Sequence, residues 1–326
     1  MTVVLLDRKT QVGGTDVWVP PICFGTSGLG DMPKTYGYGV DEERALATIR
    51  AVFDGPIKFL DTSRNYGMGR SETRIGKVIR EYGGLPPGAV ISTKLDRDME
   101  TGRFDAAQAR RSLEETLEAL GLDRVQILHL HDPEHAESVP EIVGPGGALP
   151  ELFKMKEEGL ANAVGLAAGK VDIMMPILTD WDFDALITHN RYTLVSKNAE
   201  PMMDLARQRN ISVFNAAPFA GGALAKGATV MPRYVYQEAN EATLAPIRRV
   251  EAVCERHGVP SGAAALQFSL RNAEIATTIC GVSKAERIDQ TIEWAEWDIP
   301  ESLWAELAEV PREPADPEAA RQYDPG

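Results

Sequence analysis

The chain has 326 residues, 44% of them apolar and 25% charged, with a net charge of −14. That length suits one large α/β barrel or two ordinary domains. The acidic balance argues against nucleic acid and anionic membrane surfaces as partners. The odd cysteine count, with Cys23, Cys254 and Cys280 at no metal-ligand spacing, argues against a disulfide framework.

In chain order, the apolar run Val3–Leu6 is too short for a signal-peptide core. No stretch approaches a membrane span, so the expectation is a soluble, cytoplasmic protein. Val3 to Trp18, with Gly13-Gly14 between extended runs, predicts a hairpin closing the bottom of a barrel. Strand-like runs follow at 22–25, 58–61, 89–94, 125–131, 163–166, 185–188, 211–215 and 277–281. Cys23 and Cys280 fall within such runs and read as small core residues. Helical patterns alternate with the strands. Ala45, Ile49, Val52 and Phe53 share one face, as do Ala109, Leu113, Leu117 and Leu120. Further helices are expected over 70–82, 148–159, 170–179, 200–209, 243–257 and 284–295.

Eight strand–helix pairs predict an α/β fold of the (β/α)8 TIM-barrel type over residues 1–310. The acidic, Pro-rich tail 311–326 is expected either to be disordered or to fold across the pocket mouth. A doubly wound sheet is the alternative, but Gly25-Thr26-Ser27-Gly28-Leu29-Gly30 lacks the G-x-G-x-x-G register. The connections 31–40, 132–147 and 219–242 are longer than a scaffold needs. Each follows a strand and so lies at the C-terminal face, where barrel active sites lie.

Asp61, Lys94 and His131 end successive strand-like runs, and Tyr66 sits five residues after Asp61. A free phenol has a pKa near ~10, and a nearby cation lowers it. Lys94, held by Asp61, would do this for Tyr66, while His131 would orient the reacting oxygen as a neutral imidazole. Singly, each residue has a plainer role: a turn tyrosine, a lysine reaching water, a helix-capping aspartate, a core histidine. Their joint placement favours proton transfer to or from a carbonyl oxygen. His129, two residues before His131 and so on the same side of the strand, reads as core or as support for the site.

Phe59-Leu60-Asp61-Thr62-Ser63-Arg64-Asn65-Tyr66-Gly67 is similar to the F-x-D-T-A-x-x-Y-G segment of the aldo-keto reductases. Gly69-Arg70-Ser71-Glu72 with Ile75-Gly76 resembles its G-x-S-E-x-x-x-G continuation. Ser92-Thr93-Lys94 and His131-Asp132-Pro133 are similar to the third-strand lysine and fourth-strand H-x-P segments. The resemblance runs from Ile22 to about Thr291. It implies hydride transfer between a nicotinamide and a carbonyl carbon, with Asp61, Tyr66, Lys94 and His131 as the catalytic tetrad and no metal.

On the cofactor side, the resemblance implies contacts from Gly25, Thr26 and Asp61, and from Ala217, Phe219, Ala220 and Gly221 after strand seven. Ala167-Ala168 replace the family's Ser-Asn pair and leave only main-chain groups there. His189 or Asn190 takes the place of a carboxamide-binding glutamine. Ala216 replaces a stacking aromatic, with Phe219 or Phe214 as substitutes. After strand eight, Ser283 and Glu286 predict a capping box, with Lys284 and Arg287 at the helix start as a phosphate site. The family's 2′-phosphate-holding lysine and serine align with Gly281 and Val282, whereas Arg287 matches its arginine. NADP is therefore favoured through Lys284 and Arg287, and NAD stays open.

Within the family, Arg191-Tyr192-Thr193-Leu194 and Val164-Gly165-Leu166 are similar to segments of the sugar and pyridoxal dehydrogenases. These oxidise a cyclic hemiacetal such as L-fucose or D-arabinose to a lactone. The expected partner is a small carbonyl or sugar substrate, approached by Tyr36, Tyr38, Trp181 or the 132–147 connection; a homo-oligomer is also compatible. Arg191 and Tyr192 serve equally well as rim packing. A general aldehyde or ketone reductase is the alternative activity, and a non-catalytic, cofactor-binding regulatory subunit is a third reading.

Overall fold

In the computed structural model, which describes residues 5–312 and 315–319, eight parallel strands close into a barrel. They are β1 (Ile22–Gly25), β2 (Phe59–Asp61), β3 (Val90–Leu95), β4 (Val125–His131), β5 (Ala161–Ala167), β6 (Ala185–His189), β7 (Ser212–Ala216) and β8 (Ile275–Gly281). β8 pairs with β1 to close the ring. Continuous apolar runs such as Ile22-Cys23-Phe24 form these strands because both faces are covered, one by the barrel interior and one by helices.

The barrel is filled from below. Cys23, Phe59, Ile127, Ala185, Phe214 and Ile279 form an interior cluster with Val12, Val17 and Val19 of the hairpin. The hairpin pairs Thr10–Gln11 with Trp18–Val19. Gly13 has φ +54°, and a Cβ there would meet the Asp184 main chain at 2.9 Å; its N–H donates to Ser212 Oγ at 2.9 Å. Both partners sit at strand starts, which places the hairpin at the bottom. Leu5–Asp7 is a 3-10 turn, so the extended run begins at Thr10; Val3 and Val4 lie outside the described residues. Cys23, Cys254 and Cys280 are all buried free thiols.

Register then sets the polar top. Asp61 lies opposite Ser92, Lys94 opposite His129, and His131 opposite Ala167. With side chains alternating along each strand, Asp61, Ser92, Lys94, His129 and His131 all enter the barrel lumen.

Several elements depart from the sequence reading. Helices at Ser261–Leu270 and Glu301–Ala308 were not anticipated. The first is buried at Gly262, Ala263, Ala264, Ala265, Leu266, Ser269 and Leu270, so it lacks the polar face that marks an amphipathic helix. The Ser283–Glu286 capping box does not form. The helix runs Glu286–Glu296 from Ala285 with no side-chain cap. Arg287 and Ile288 N–H donate to the Lys284 and Ala285 carbonyls instead.

The three long connections carry short elements of their own, including Pro33–Tyr36, Val139–Val143 and a ribbon pairing Arg233–Tyr234 with Gln237–Glu238. Among the described residues, no helix is long and apolar enough to cross a membrane.

Candidate active site

Lys94 is 1% exposed. A buried ammonium needs partners, and Lys94 donates to Asp61 Oδ2 at 2.8 Å and to the Thr62 carbonyl at 2.6 Å. The second oxygen of Asp61 accepts from Ser92 Oγ at 2.9 Å. Lys94 Nζ also lies 4.9 Å from the centroid of the Tyr66 ring. The Tyr66 and His131 rings meet edge to face at 6.0 Å. All four residues anticipated from the sequence are thus brought together at the C-terminal ends of β2, β3 and β4.

Tyr66 stands on a turn rather than a strand. Its shape depends on Gly67, which has φ +61° and whose Cβ would collide with the Gly30 carbonyl. The turn is also tied down by Asp96, a residue the sequence reading missed. Asp96 accepts from Ser63 Oγ at 2.6 Å and Asn65 N–H at 3.0 Å. Its other oxygen is 2.6 Å from His131 Nδ1. One buried carboxylate therefore positions both the tyrosine turn and the imidazole. The available signal was the alternation Lys94-x-Asp96.

Asp132 Oδ1 lies 3.5 Å from the opposite nitrogen of His131, Nε2. Burial alone would push His131 down, but Asp132 and Asp96 outweigh it and hold the imidazole above its ordinary value. His129 is fully buried beneath the site, pushed well down by burial and then by Lys94. It packs edge-on to Phe214 at 6.0 Å, and Gly165 leaves the room its ring occupies.

A cavity of about 370 Å³ opens beside Tyr66 and runs toward the start of the helix after β8. Gly25, Asp61, His189, Ala217, Phe219, Gly221, Gly281, Ser283, Lys284 and Arg287 line it, as do Tyr36 and Tyr38. Lys226, Arg233, Tyr236 and Trp294 also line it and were missed, because three of them lie in the irregular 219–242 connection. Lys226 sits 5.2 Å over the Tyr38 ring; burial and then the Arg287 charge lower its pKa. Tyr36 meets Tyr236 edge-on at 5.5 Å, and Tyr236 stacks on His189 at 5.8 Å.

Four residues expected on the cofactor lie apart from the cavity. Thr26 is fully buried and spends its hydroxyl on the Asp61 carbonyl at 3.0 Å. Ala167 is enclosed in the barrel interior and Ala220 in the outer core. Asn190 is fully buried, with its amide donating to Glu318 at 2.5 Å. Phe214 belongs to the interior cluster rather than the cavity wall.

Trp181 stands away from the pocket, against Phe153 at 5.2 Å, because it follows a helix rather than a strand. Tyr192 stacks on Phe268 at 5.0 Å as packing. Arg191 is 1% exposed and holds Asp316 of the tail at 2.8 Å. Glu318 lies 2.8 Å from His189 Nδ1. Among the described tail residues, Asp316 and Glu318 thus pack against Arg191, Asn190 and His189.

A closed (β/α)8 barrel holds a buried Lys–Asp pair beside a tyrosine, next to a cleft edged with cations, an arrangement suited to proton transfer. The chain belongs to the Aldo/keto reductase family, whose model matches residues 21–312, and is an oxidoreductase of that family. It is 28% identical over 318 residues to D-threo-aldose 1-dehydrogenase of a Pseudomonas species, covering 90% of this chain and 94% of that protein. It is 30% identical over 285 residues to L-galactose dehydrogenase of Arabidopsis thaliana, covering 86% of each. The holo form of an aldo-keto reductase from Bacillus halodurans shares the fold, with a TM-score of 0.75 at 18% identity, covering 94% of this chain and 96% of that one.

Proposed function

We propose that the chain is an NAD(P)-dependent aldose 1-dehydrogenase that oxidises the anomeric hydroxyl of a cyclic sugar to a lactone. The observation that carries this is the placement of Lys94, paired with Asp61, against the Tyr66 ring at the mouth of the cavity. The names of the two sugar-oxidising relatives support the substrate class.

The donor set of the cavity fits an anionic dinucleotide. Lys226, Lys284 and Arg287 supply positive charge for phosphates at one end, and Asp61, Tyr66 and His189 supply polar groups at the other. When bound, the nicotinamide supplies the acceptor for hydride leaving C1.

The side chains handle the proton. Lys94, fixed by Asp61 and the Thr62 carbonyl, stabilises the phenolate of Tyr66. Tyr66 takes the proton of the C1 hydroxyl as that oxygen becomes a carbonyl. His131, anchored at Nδ1 by Asp96, holds the same oxygen through Nε2. Positioned acid–base groups of this kind contribute roughly 10²–10⁴-fold to rate.

Tyr66→Phe is expected to lower kcat by about that factor while NADP binding, read by protein fluorescence, is retained. Unchanged turnover would remove the role from Tyr66. Lactone formation from L-fucose or L-galactose with NAD(P)⁺ is the substrate test. Fast reduction of nitrobenzaldehyde with no sugar oxidation would instead establish a general aldehyde reductase.

A further inference from the structure

The described tail residues meet the barrel where β6 ends, on the consecutive residues His189, Asn190 and Arg191. Buried Arg191 donates from Nε to Asp316 Oδ1 at 2.8 Å and from Nη1 to the Ala168 carbonyl at 3.1 Å. Asp316 Oδ1 also accepts the Glu318 N–H at 3.0 Å, which shapes the turn that carries Glu318. The Glu318 side chain is buried. Its Oε1 accepts from the Asn190 amide at 2.5 Å and lies 2.8 Å from His189 Nδ1. The chemistry above leaves this carboxylate unused.

A carboxylate accepts hydrogen bonds and donates none, so in the neutral ring the pairing puts the hydrogen of His189 on Nδ1. Nε2 is left with a lone pair and acts as an acceptor. The Tyr236 hydroxyl lies 3.3 Å from it, placed to donate. His189 and Tyr236 both line the cavity of about 370 Å³, as do Asp61 and Tyr66, and the His189 side chain keeps 22% of its surface exposed. Other polar groups at this end are already engaged. Ser27 and Tyr36 share a hydrogen bond of 2.5 Å, and Asp61 is held by Lys94 and Ser92. A nicotinamide ring placed for hydride exchange beside Tyr66 carries one hydrogen-bonding substituent, a carboxamide, with an acceptor oxygen and an N–H pair.

We propose that Glu318 is a positioning residue that fixes His189 in its Nδ1–H form, so that Nε2 accepts an N–H of the nicotinamide carboxamide and the tail completes the cofactor site. The assignment rests on the reading of this cavity as a nicotinamide dinucleotide site. Without the carboxylate the ring is free to carry its hydrogen on Nε2, which then seeks a carbonyl oxygen instead of an N–H.

The test is fluorescence titration of the full chain with NADP⁺ and NAD⁺ and with their 3-acetylpyridine analogues. The methyl ketone of these analogues keeps the acceptor of the carboxamide and lacks its N–H donors. Wild type should bind the carboxamide form about fivefold more tightly, the worth of one well-placed hydrogen bond. Glu318→Ala should bring that ratio to about one, because Nε2–H meets either carbonyl equally well. Glu318→Gln, whose amide oxygen still accepts from Nδ1, should recover most of the ratio. Equal weakening of both forms in Glu318→Ala, with the ratio kept, would reduce Glu318 to a tether for the tail and overturn the assignment. So would a wild type that binds both forms equally. ADP-ribose and its 2′-phosphate, which lack the pyridine, should bind wild type and Glu318→Ala alike; weaker binding to the variant would place the effect away from the carboxamide and overturn the assignment. A wild type that binds no dinucleotide would overturn the dinucleotide reading itself, and this assignment with it.

Discussion

Lys94 is a charge kept in the barrel lumen by geometry that uses every neighbour. Asp61 and the Thr62 carbonyl hold its ammonium, and the Tyr66 ring covers it. Removing one partner of such a pair leaves an uncompensated buried charge, which is why the pair behaves as a unit. Asp96 is the comparable point for His131. Asp96→Asn should cut kcat by roughly 10- to 100-fold, since part of the acid–base contribution is lost when the imidazole is no longer held by a carboxylate. The imidazole inflection in the pH–rate profile should also move to lower pH, because Asp96 helps to hold that group up. A lower kcat with an unmoved profile would reduce Asp96 to a packing role.

Among the elements, the loop and helix after β8 are where the proposed choice of dinucleotide is tested. Lys284 lies in the loop between Gly281 and the helix Glu286–Glu296, and Arg287 lies in that helix's first turn. Lys226 reaches the same cavity from Ala223–Lys226. Three cations converging on one wall suit an additional phosphate, and helix N-termini favour anions. Lys284→Ala should weaken NADP about tenfold and NAD much less, since losing one charge-assisted contact costs roughly 1.5–3 kcal/mol. Fluorescence titration with both dinucleotides reads this directly. Equal weakening of the two would place the 2′-phosphate elsewhere. Ser283 is not a cap because the helix starts at Glu286, after Ala285, and main-chain carbonyls close its first turn.

At the scale of the molecule, the barrel is apolar at the base and polar at the rim, and some polar groups are enclosed between strands and helices. Glu72, on the helix Arg70–Glu81, is fully buried, with Thr93 Oγ1 at 2.7 Å and Thr116 Oγ1 at 3.0 Å donating to it. Burial raises it to about 7 against those two hydrogen bonds. A folded value above the unfolded one means the folded chain holds this proton more tightly. Its contribution to stability is full below the unfolded value and is lost as pH rises to about 7. Glu72→Gln removes the ionisation and keeps an acceptor for the threonines. Relative to wild type, the variant should gain on the order of 2–3 kcal/mol between pH 4.5 and pH 8, at about 1.4 kcal/mol per pH unit. Urea denaturation at the two pH values measures this. A stability difference independent of pH would show that Glu72 does not titrate in the folded chain.

The sequence by itself determined the barrel and marked Asp61, Tyr66, Lys94 and His131, which the structure brings together. Strand periodicity is local, and motifs such as Asp61 to Gly67 hold their chemistry within a few residues. It also placed the hairpin beneath the barrel and marked the three rim connections. It did not mark Ser261–Leu270, whose small residues are buried nearly all round and so show no periodic contrast. Only the tertiary structure decided which polar groups meet across elements. Asp96 joins His131 to the tyrosine turn, Lys226 and Tyr236 enter the cavity from an irregular loop, and Glu318 takes the amide of Asn190 from 128 residues away. These pairings depend on how loops from separate strands converge at one barrel face, and no local pattern encodes that distance.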